Sequence, residues 1–338
     1  MVVMMKKDVI YYSDELNDEF SSAKIDPRFI DEKYKYKHGI IWNLCSLLIQ
    51  NIISMPIKYG YAKLKFRIKF VGKEKLKACG KSGYFMYVNH TQAFADTFIP
   101  SLANYPKRNF LIVNPENISV KPFGWLVEML GAIPVPGNKG AMKKFLDIIK
   151  ERIDKNCSIT IYPEAHIWPY YTKIRPFKSV SFKYPAEMKK PVFCITNTYQ
   201  KRGKNKDKVR IVSYIDGPFY ADENLATVRE QKEDLRNRVY EAMVKKSRNS
   251  NVEVIKYVKK PCGSGKKYKK CRRRKKQKSD FSGFFLCQEI LKNEIRYKFR
   301  YKLQKLFVSN LYLELKEISG TIENTEEKLK VSTVPGQW

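Results

Sequence analysis

The chain holds three histidines, His38, His90 and His166, and imidazole is the side chain best matched to proton transfer near neutral pH. His90 stands in the stretch YFMYVNHTQAFAD, residues 84–96, which ends on Asp96. A carboxylate beside an imidazole fixes its tautomer and supports its charged form, so the two together can act as a general base. The competing reading is a strand-end histidine satisfied by a backbone carbonyl. Thr91, Gln92, Ala93, Phe94 and Ala95 separate the pair. Six steps along an ideal helix turn through about 600°, which would aim Asp96 away from a helical His90. Pairing therefore requires His90 on a loop, with the helix starting after it.

The elements that must place these groups follow from the apolar pattern. Tyr84, Phe85, Met86, Tyr87 and Val88 form a short aromatic and β-branched run, the profile of a buried strand. Thr91 is positioned to cap a helix over 92–102. Further strands are expected at 66–71, 110–113, 158–162, 192–196 and 209–215, and further helices at 122–131, 139–155, 179–188 and 225–246. This alternation predicts an α/β fold, a mixed and largely parallel sheet flanked by helices. A histidine at the carboxyl end of a buried strand lies where such sheets open to ligands.

Outside this body the chain changes character twice. Residues 1–38 are polar and read as irregular or loosely helical, and they offer no apolar core of a secretion signal. Residues 39–56, GIIWNLCSLLIQNIISMP, form a helix that Pro56 is expected to end. Asn43, Ser46, Gln50 and Ser54 share one of its faces, and Ile40, Ile41, Leu44, Leu47, Leu48, Ile52 and Met55 cover the rest. With Lys58, Lys63, Lys65, Arg67 and Lys69 just beyond, this is either an amphipathic element lying in a membrane interface or a core helix packed on the sheet. The formal charge is +32. Residues 251–338 carry 22 Lys/Arg against 9 Asp/Glu, so the body is basic as well as the tail. Such a chain seeks anionic membranes, nucleic acid or acidic partners. Seven cysteines without framework spacing suit reduced thiols. The boundaries are thus an N-terminal membrane-interface segment over 1–60, a catalytic body over 61–250 and a basic C-terminal extension over 251–338.

Three later stretches acquire meaning from their order after Asn89-His90 and Asp96. They are Gly131-Ala132-Ile133-Pro134-Val135, Tyr162-Pro163-Glu164, and Pro191-Val192-Phe193. The succession resembles the glycerolipid acyltransferase family, in particular the 1-acylglycerol-3-phosphate acyltransferases, over roughly residues 60–215. The resemblance implies that His90 removes the proton of a lysophospholipid hydroxyl while Asp96 orients the ring. It also implies an acyl thioester donor, acyl-CoA or acyl-carrier protein, with no further cofactor. Asn89 and Glu164 would belong to the acceptor site, Glu164 bonding acceptor hydroxyls or positioning the basic residues. Three departures stand out: five residues between His90 and Asp96 where the family has four, Ala165 where the family has glycine, and Ile167 where it has the arginine that grips the acceptor's phosphate. The nearest replacements are Lys139, His166, Lys173, Arg175 and Lys178. Arg175 alone has the planar fork that holds phosphate by two bonds. The aromatic run Trp168, Tyr170, Tyr171 suits either lipid head groups or loop packing.

The tail carries a second, partial resemblance. Residues 261–271, PCGSGKKYKKC, look like a SEC-C zinc motif from which only the two inner ligands, Cys262 and Cys271, survive. Two thiolates do not close a tetrahedral site, so a solvated basic segment is the expected reading. The sequence thus points to a membrane-associated acyltransferase at the cytoplasmic face, peripheral or monotopic, acting on 1-acylglycerol-3-phosphate. The rivals are a non-catalytic lipid-binding member of the fold and a nucleic-acid-binding protein. Tyr268 is the one aromatic within 259–278 able to stack on a base, which disfavours the latter.

Overall fold

In the computed structural model the described residues are 3–4, 9–20, 25–36, 38–120, 122–203 and 205–260. The zinc-like stretch with Cys262 and Cys271 lies outside them. In chain order the elements are β1 (Val3–Met4), β2 (Val9–Tyr12), α1 (Ile40–Leu48), a π turn (Ile49–Ile53), α2 (Ser54–Phe66), β3 (Lys69–Val71), β4 (Tyr84–Val88), α3 (Ala95–Asn104), β5 (Asn109–Val113), α4 (Gly124–Met129), β6 (Ala132–Pro134), α5 (Lys139–Asp154), β7 (Ser158–Ile161), α6 (Lys183–Glu187), β8 (Val192–Arg202), β9 (Asn205–Phe219), α7 (Val228–Ser247), β10 (Val252–Glu253) and β11 (Lys256–Lys259).

Seven strands form one sheet in the order β3-β9-β8-β4-β7-β5-β6, with β8–β9 its antiparallel pair. The fold is therefore α/β with a mixed, mostly parallel sheet. Strand β4 is buried on both faces, as its unbroken apolar run predicts. Tyr84, Met86 and Val88 face a core shared with Phe66 of α2 and with Ala95, Ile99 and Ala103 of α3. Phe85 and Tyr87 face the opposite core, built with Phe145 and Ile149 of α5 and Leu235 and Val239 of α7. Gly131 enters β6 with φ of +100°, where an added Cβ would lie 2.9 Å from the Asn109 carbonyl oxygen. That accounts for a glycine at the head of its block.

Several expectations need correction. Thr91 does not cap a helix, because α3 starts only at Ala95 and its flanking Phe94 offers no side-chain cap. The expected 179–188 helix is a 3₁₀ turn, Val180–Phe182, followed by the short α6. Residues 1–38 contain strands: β2 pairs in parallel with β11, and β1 with β10. Nor does Pro56 end its helix, which runs on to Phe66 and stops where Arg67 turns left-handed at φ 44°. The preceding π turn absorbs the proline: Ser54 N–H bonds back to the Ile49 carbonyl, and its hydroxyl donates to the Gln50 carbonyl at 2.8 Å.

Of the two readings of the long helix, its orientation departs from that of a core helix. Its polar stripe points inward: Ser46 Oγ and Gln50 Nε2 donate to the Met129 carbonyl at 2.7 and 2.9 Å. Arg108 donates in turn to Ser46 Oγ at 2.8 Å and to Gln50 Oε1 at 3.2 Å. The apolar residues point out, with Ile40 88% and Ile52 63% exposed and Ile41 and Leu44 also open. A core helix would do the reverse. Taken with α2 it is a 27-residue helix, Ile40–Phe66, long and apolar enough to cross a membrane by length and composition. Gln50→Leu should therefore cost about 1–3 kcal/mol by stranding the Arg108 donor and weakening the hold on Met129. Leu44→Gln on the outer face should change stability by under about 0.5 kcal/mol. Urea unfolding of both variants in one detergent checks the contrast.

Candidate active site

The chain leaves β4 through Asn89 and makes a sharp turn at His90 before α3 begins. This turn satisfies the geometry demanded by the six-step spacing. Asp96 lies in the first turn of α3 and is 0% exposed. One of its oxygens, Oδ2, meets His90 Nδ1 at 2.8 Å and accepts the backbone N–H groups of Thr91 and Gln92, each at 2.8 Å. Asp96 thus folds the intervening loop back onto itself, and the helix amino end favours its negative charge. A carboxylate only accepts, so the ring proton sits on Nδ1 and Nε2 keeps a lone pair. The imidazole is mostly covered, its side chain 17% exposed.

Everything else about His90 is fixed by the segment that follows β7. The ring lies nearly parallel on Tyr162, with centroids 4.3 Å apart. The Tyr162 hydroxyl donates to the Asp96 carbonyl, tying both members of the pair to one side chain. Burial, reinforced by the Asp96 charge, pushes the phenol well above its ordinary range, so it stays a donor. His90 N–H donates to Glu164 Oε2 at 3.1 Å, and the His90 carbonyl accepts Trp168 N–H at 3.1 Å. The next carbonyl, of Thr91, accepts Tyr170 N–H at 3.0 Å. Residues 162–170 therefore strap the His90 turn by its backbone. Ala165 bends this strap at φ 61°, a left-handed conformation that explains the glycine expected there and costs a residue with a side chain about 1–2 kcal/mol.

Of the predicted site residues, the structure brings together His90, Asp96 and Glu164. Asn89 is buried, its amide donating to the Asn197 carbonyl at 3.1 Å and accepting Asn197 N–H at 2.7 Å. It ties the end of β4 to β8 and, at 1% exposure, is closed off from a substrate. Arg175 is likewise removed from the acceptor role, being 1% exposed. Its guanidinium donates to the carbonyls of Glu15, Glu164 and His166, approaches the Glu164 carboxylate at 3.5 Å, and stacks over Trp168. Its backbone N–H gives Glu164 a second amide donor at 2.9 Å. Burial raises the Glu164 carboxyl's pKa, and Arg175 and the two amides offset only part of that rise. Glu164 thus positions rather than contacts a substrate. His166 faces Glu19 at 3.5 Å. Lys139, at the start of α5, and Lys178 are exposed, as is Lys173. Trp168 is buried loop packing, caged by Tyr12, Phe20, Tyr171 and Tyr257, with its ring N–H donating to the Asp18 carbonyl at 2.7 Å.

Residues of β8 complete the turn from about a hundred positions away. Tyr199 donates to Thr91 Oγ1 at 2.8 Å and accepts Gln92 Nε2 at 2.9 Å. Asn197 Nδ2 approaches the other Asp96 oxygen at 3.5 Å and is oriented by Ser213, which donates to the side-chain Oδ1 of Asn197 at 2.7 Å. Nothing in local sequence flags them, since they act only through strand pairing.

The Acyltransferase family model matches residues 67–197, a stretch that contains all four blocks. A search of curated proteins finds no match. Among solved structures, the chain is similar to the crystal structure of the 1-acyl-sn-glycerophosphate (LPA) acyltransferase, PlsC, from Thermotoga maritima. The identity is 11%, covering 62% of this chain and 96% of that one, with a TM-score of 0.41.

The buried position of Arg175 makes a direct prediction. Arg175→Ala should destabilise the fold by about 3–5 kcal/mol, because it strands Glu164 as an unpaired buried charge. The measurement is the unfolding free energy in urea. An unchanged midpoint would return Arg175 to the list of substrate ligands.

Proposed function

We infer, from the match of the acyltransferase family model to residues 67–197, that the chain transfers an acyl group from a thioester to the hydroxyl of a lysophospholipid, 1-acylglycerol-3-phosphate being the acceptor. The observation that carries this reading is the 2.8 Å contact of His90 Nδ1 with the buried Asp96, which leaves the Nε2 lone pair to act as the base.

In the reaction, Nε2 takes the proton of the acceptor hydroxyl as its oxygen attacks the thioester carbonyl. The carbon–sulfur bond breaks, and the imidazolium returns its proton to the departing thiolate. Asp96 holds the ring in register and balances its transient positive charge, and the face of Tyr162 favours that charge too. No acyl-enzyme is required, so the step needs no nucleophilic side chain. The donor is acyl-CoA or acyl-carrier protein, both acidic, which suits the +32 charge of the chain. With Arg175 engaged in the fold, the exposed ammonium groups of Lys139, Lys173 and Lys178 are the cations left to meet the acceptor's phosphate.

The outward apolar face of the Ile40–Phe66 helix supports a place on the cytoplasmic surface of an anionic membrane, where lysophospholipids reside. Its inward polar stripe, bonded to the body, favours lying along the bilayer over crossing it. The test is acyl transfer by purified protein against a panel of lyso-acceptors with both donors. His90→Ala is expected to lower kcat/KM at least about 100-fold while vesicle binding is kept. Asp96→Asn should cost less. Wild-type rates in His90→Ala would contradict this mechanism.

A further inference from the structure

Helix α2 borders a second opening that the acyl-transfer turn does not use. A cavity of about 600 Å³ lies between the flank of the α1–α2 helix, the segment leading into β3 and the far end of α3. Such a volume is typical of ligand sites. Ile52, Met55, Ala62, Ile68 and Leu102 make its wall largely apolar. Lys63 and Lys73 are the charged residues that line it, and no Asp or Glu does. Lys73 is fixed at one end, donating to the Leu102 carbonyl at 3.1 Å and lying 6.0 Å from the Phe70 ring centroid. Neither lysine has a carboxylate partner among the described residues. Lys58, between Met55 and Ala62 on the same helix, is buried at 5% exposure and also lacks one.

The groove sits apart from the catalytic turn. Asp96 stands at the start of α3 and Tyr105, which lines the groove, just past its end, a rise of about 13 Å along the axis. It is continuous instead with the outer face of the helix, because Ile52 and Tyr59 line the groove and are exposed on that face as well. A chain entering here comes from the side on which the apolar residues are bare. An apolar trough open along that side, with two cations and no acid, suits an amphiphile with an anionic head.

We propose that this groove binds one acyl chain of an anionic phospholipid drawn from the bilayer, with Lys63 and Lys73 holding the head group, as a site separate from the acyl-transfer centre. The inference rests on the reading of the Ile40–Phe66 helix as bilayer-facing. It does not require the chain to be catalytically active.

The experiment titrates the full-length protein with dihexanoylphosphatidylglycerol below its micelle concentration, followed by calorimetry. Saturable binding at one site is expected, with dihexanoylphosphatidylcholine at least about tenfold weaker. Lys63→Glu with Lys73→Glu should weaken the anionic lipid at least about tenfold. The charge-matched pair Lys143→Glu with Lys150→Glu, exposed on α5, should stay within about twofold of wild type. Ala62→Phe, which fills the groove, should also abolish binding. If that variant fails to fold, the lysine pair alone decides. His90→Ala should bind as wild type does. Absence of saturable binding, equal affinity for the two head groups, or indifference to Lys63 and Lys73 would overturn the proposal. Loss of binding in His90→Ala would overturn it by assigning the chain to the transfer site, and hexanoate binding as tightly as the phospholipid would replace it with a fatty-acid site. A protein that binds lipid here but transfers no acyl group would refute the catalytic reading and leave this one standing.

Discussion

Asp96 is fully buried, and one carboxylate oxygen meets three donors at 2.8 Å: His90 Nδ1 and the amides of Thr91 and Gln92. An ionised carboxylate taken out of water is tolerated only when such charge-assisted bonds replace its hydration. The turn between β4 and α3 is the shape that supplies them, and the amino end of α3 adds its dipole. The same bonds give His90 its orientation and tautomer. Loop shape and ring chemistry are thus two consequences of one buried charge.

A second layer keeps that turn from relaxing. Glu164 and Trp168 hold the backbone N–H and carbonyl of His90, and Tyr162 backs its ring. Glu164 is itself buried, and Arg175 compensates it. Arg175 in turn donates to the Glu15 carbonyl, while Trp168 is caged by Tyr12, Phe20 and Tyr257. Packing therefore runs outward from the dyad to the N-terminal segment and to β11. Arg175 therefore serves this scaffold.

The sequence exposes what local pattern encodes. Five consecutive apolar residues announced β4 as a strand buried on both faces, and the order of four short blocks located the dyad and Glu164. The left-handed Ala165 stands where a glycine is expected, so even that departure marked a real backbone constraint. What stayed hidden depends on partners distant in the chain. A buried arginine and a substrate-gripping arginine look alike until burial is known, as Arg175 shows. The stripe of Asn43, Ser46, Gln50 and Ser54 was visible, but its inward direction is set by Arg108 and the Met129 carbonyl. Asn89 appeared beside His90 as a substrate ligand, whereas its pairing with Asn197 makes it a strand tie. The strands at 9–12 and 256–259 each need the other end of the chain to form.

The claim on which this account turns is that Asp96 holds His90 with the proton on Nδ1 and the lone pair on Nε2. Nitrogen-15 NMR of the His90 imidazole at neutral pH reads this directly, since protonated and unprotonated ring nitrogens resonate far apart. The account predicts a protonated Nδ1 and a bare Nε2 in the wild-type protein, with that preference lost in Asp96→Asn. An Nε2-protonated ring, or a tautomer mixture that Asp96→Asn leaves unchanged, would contradict it.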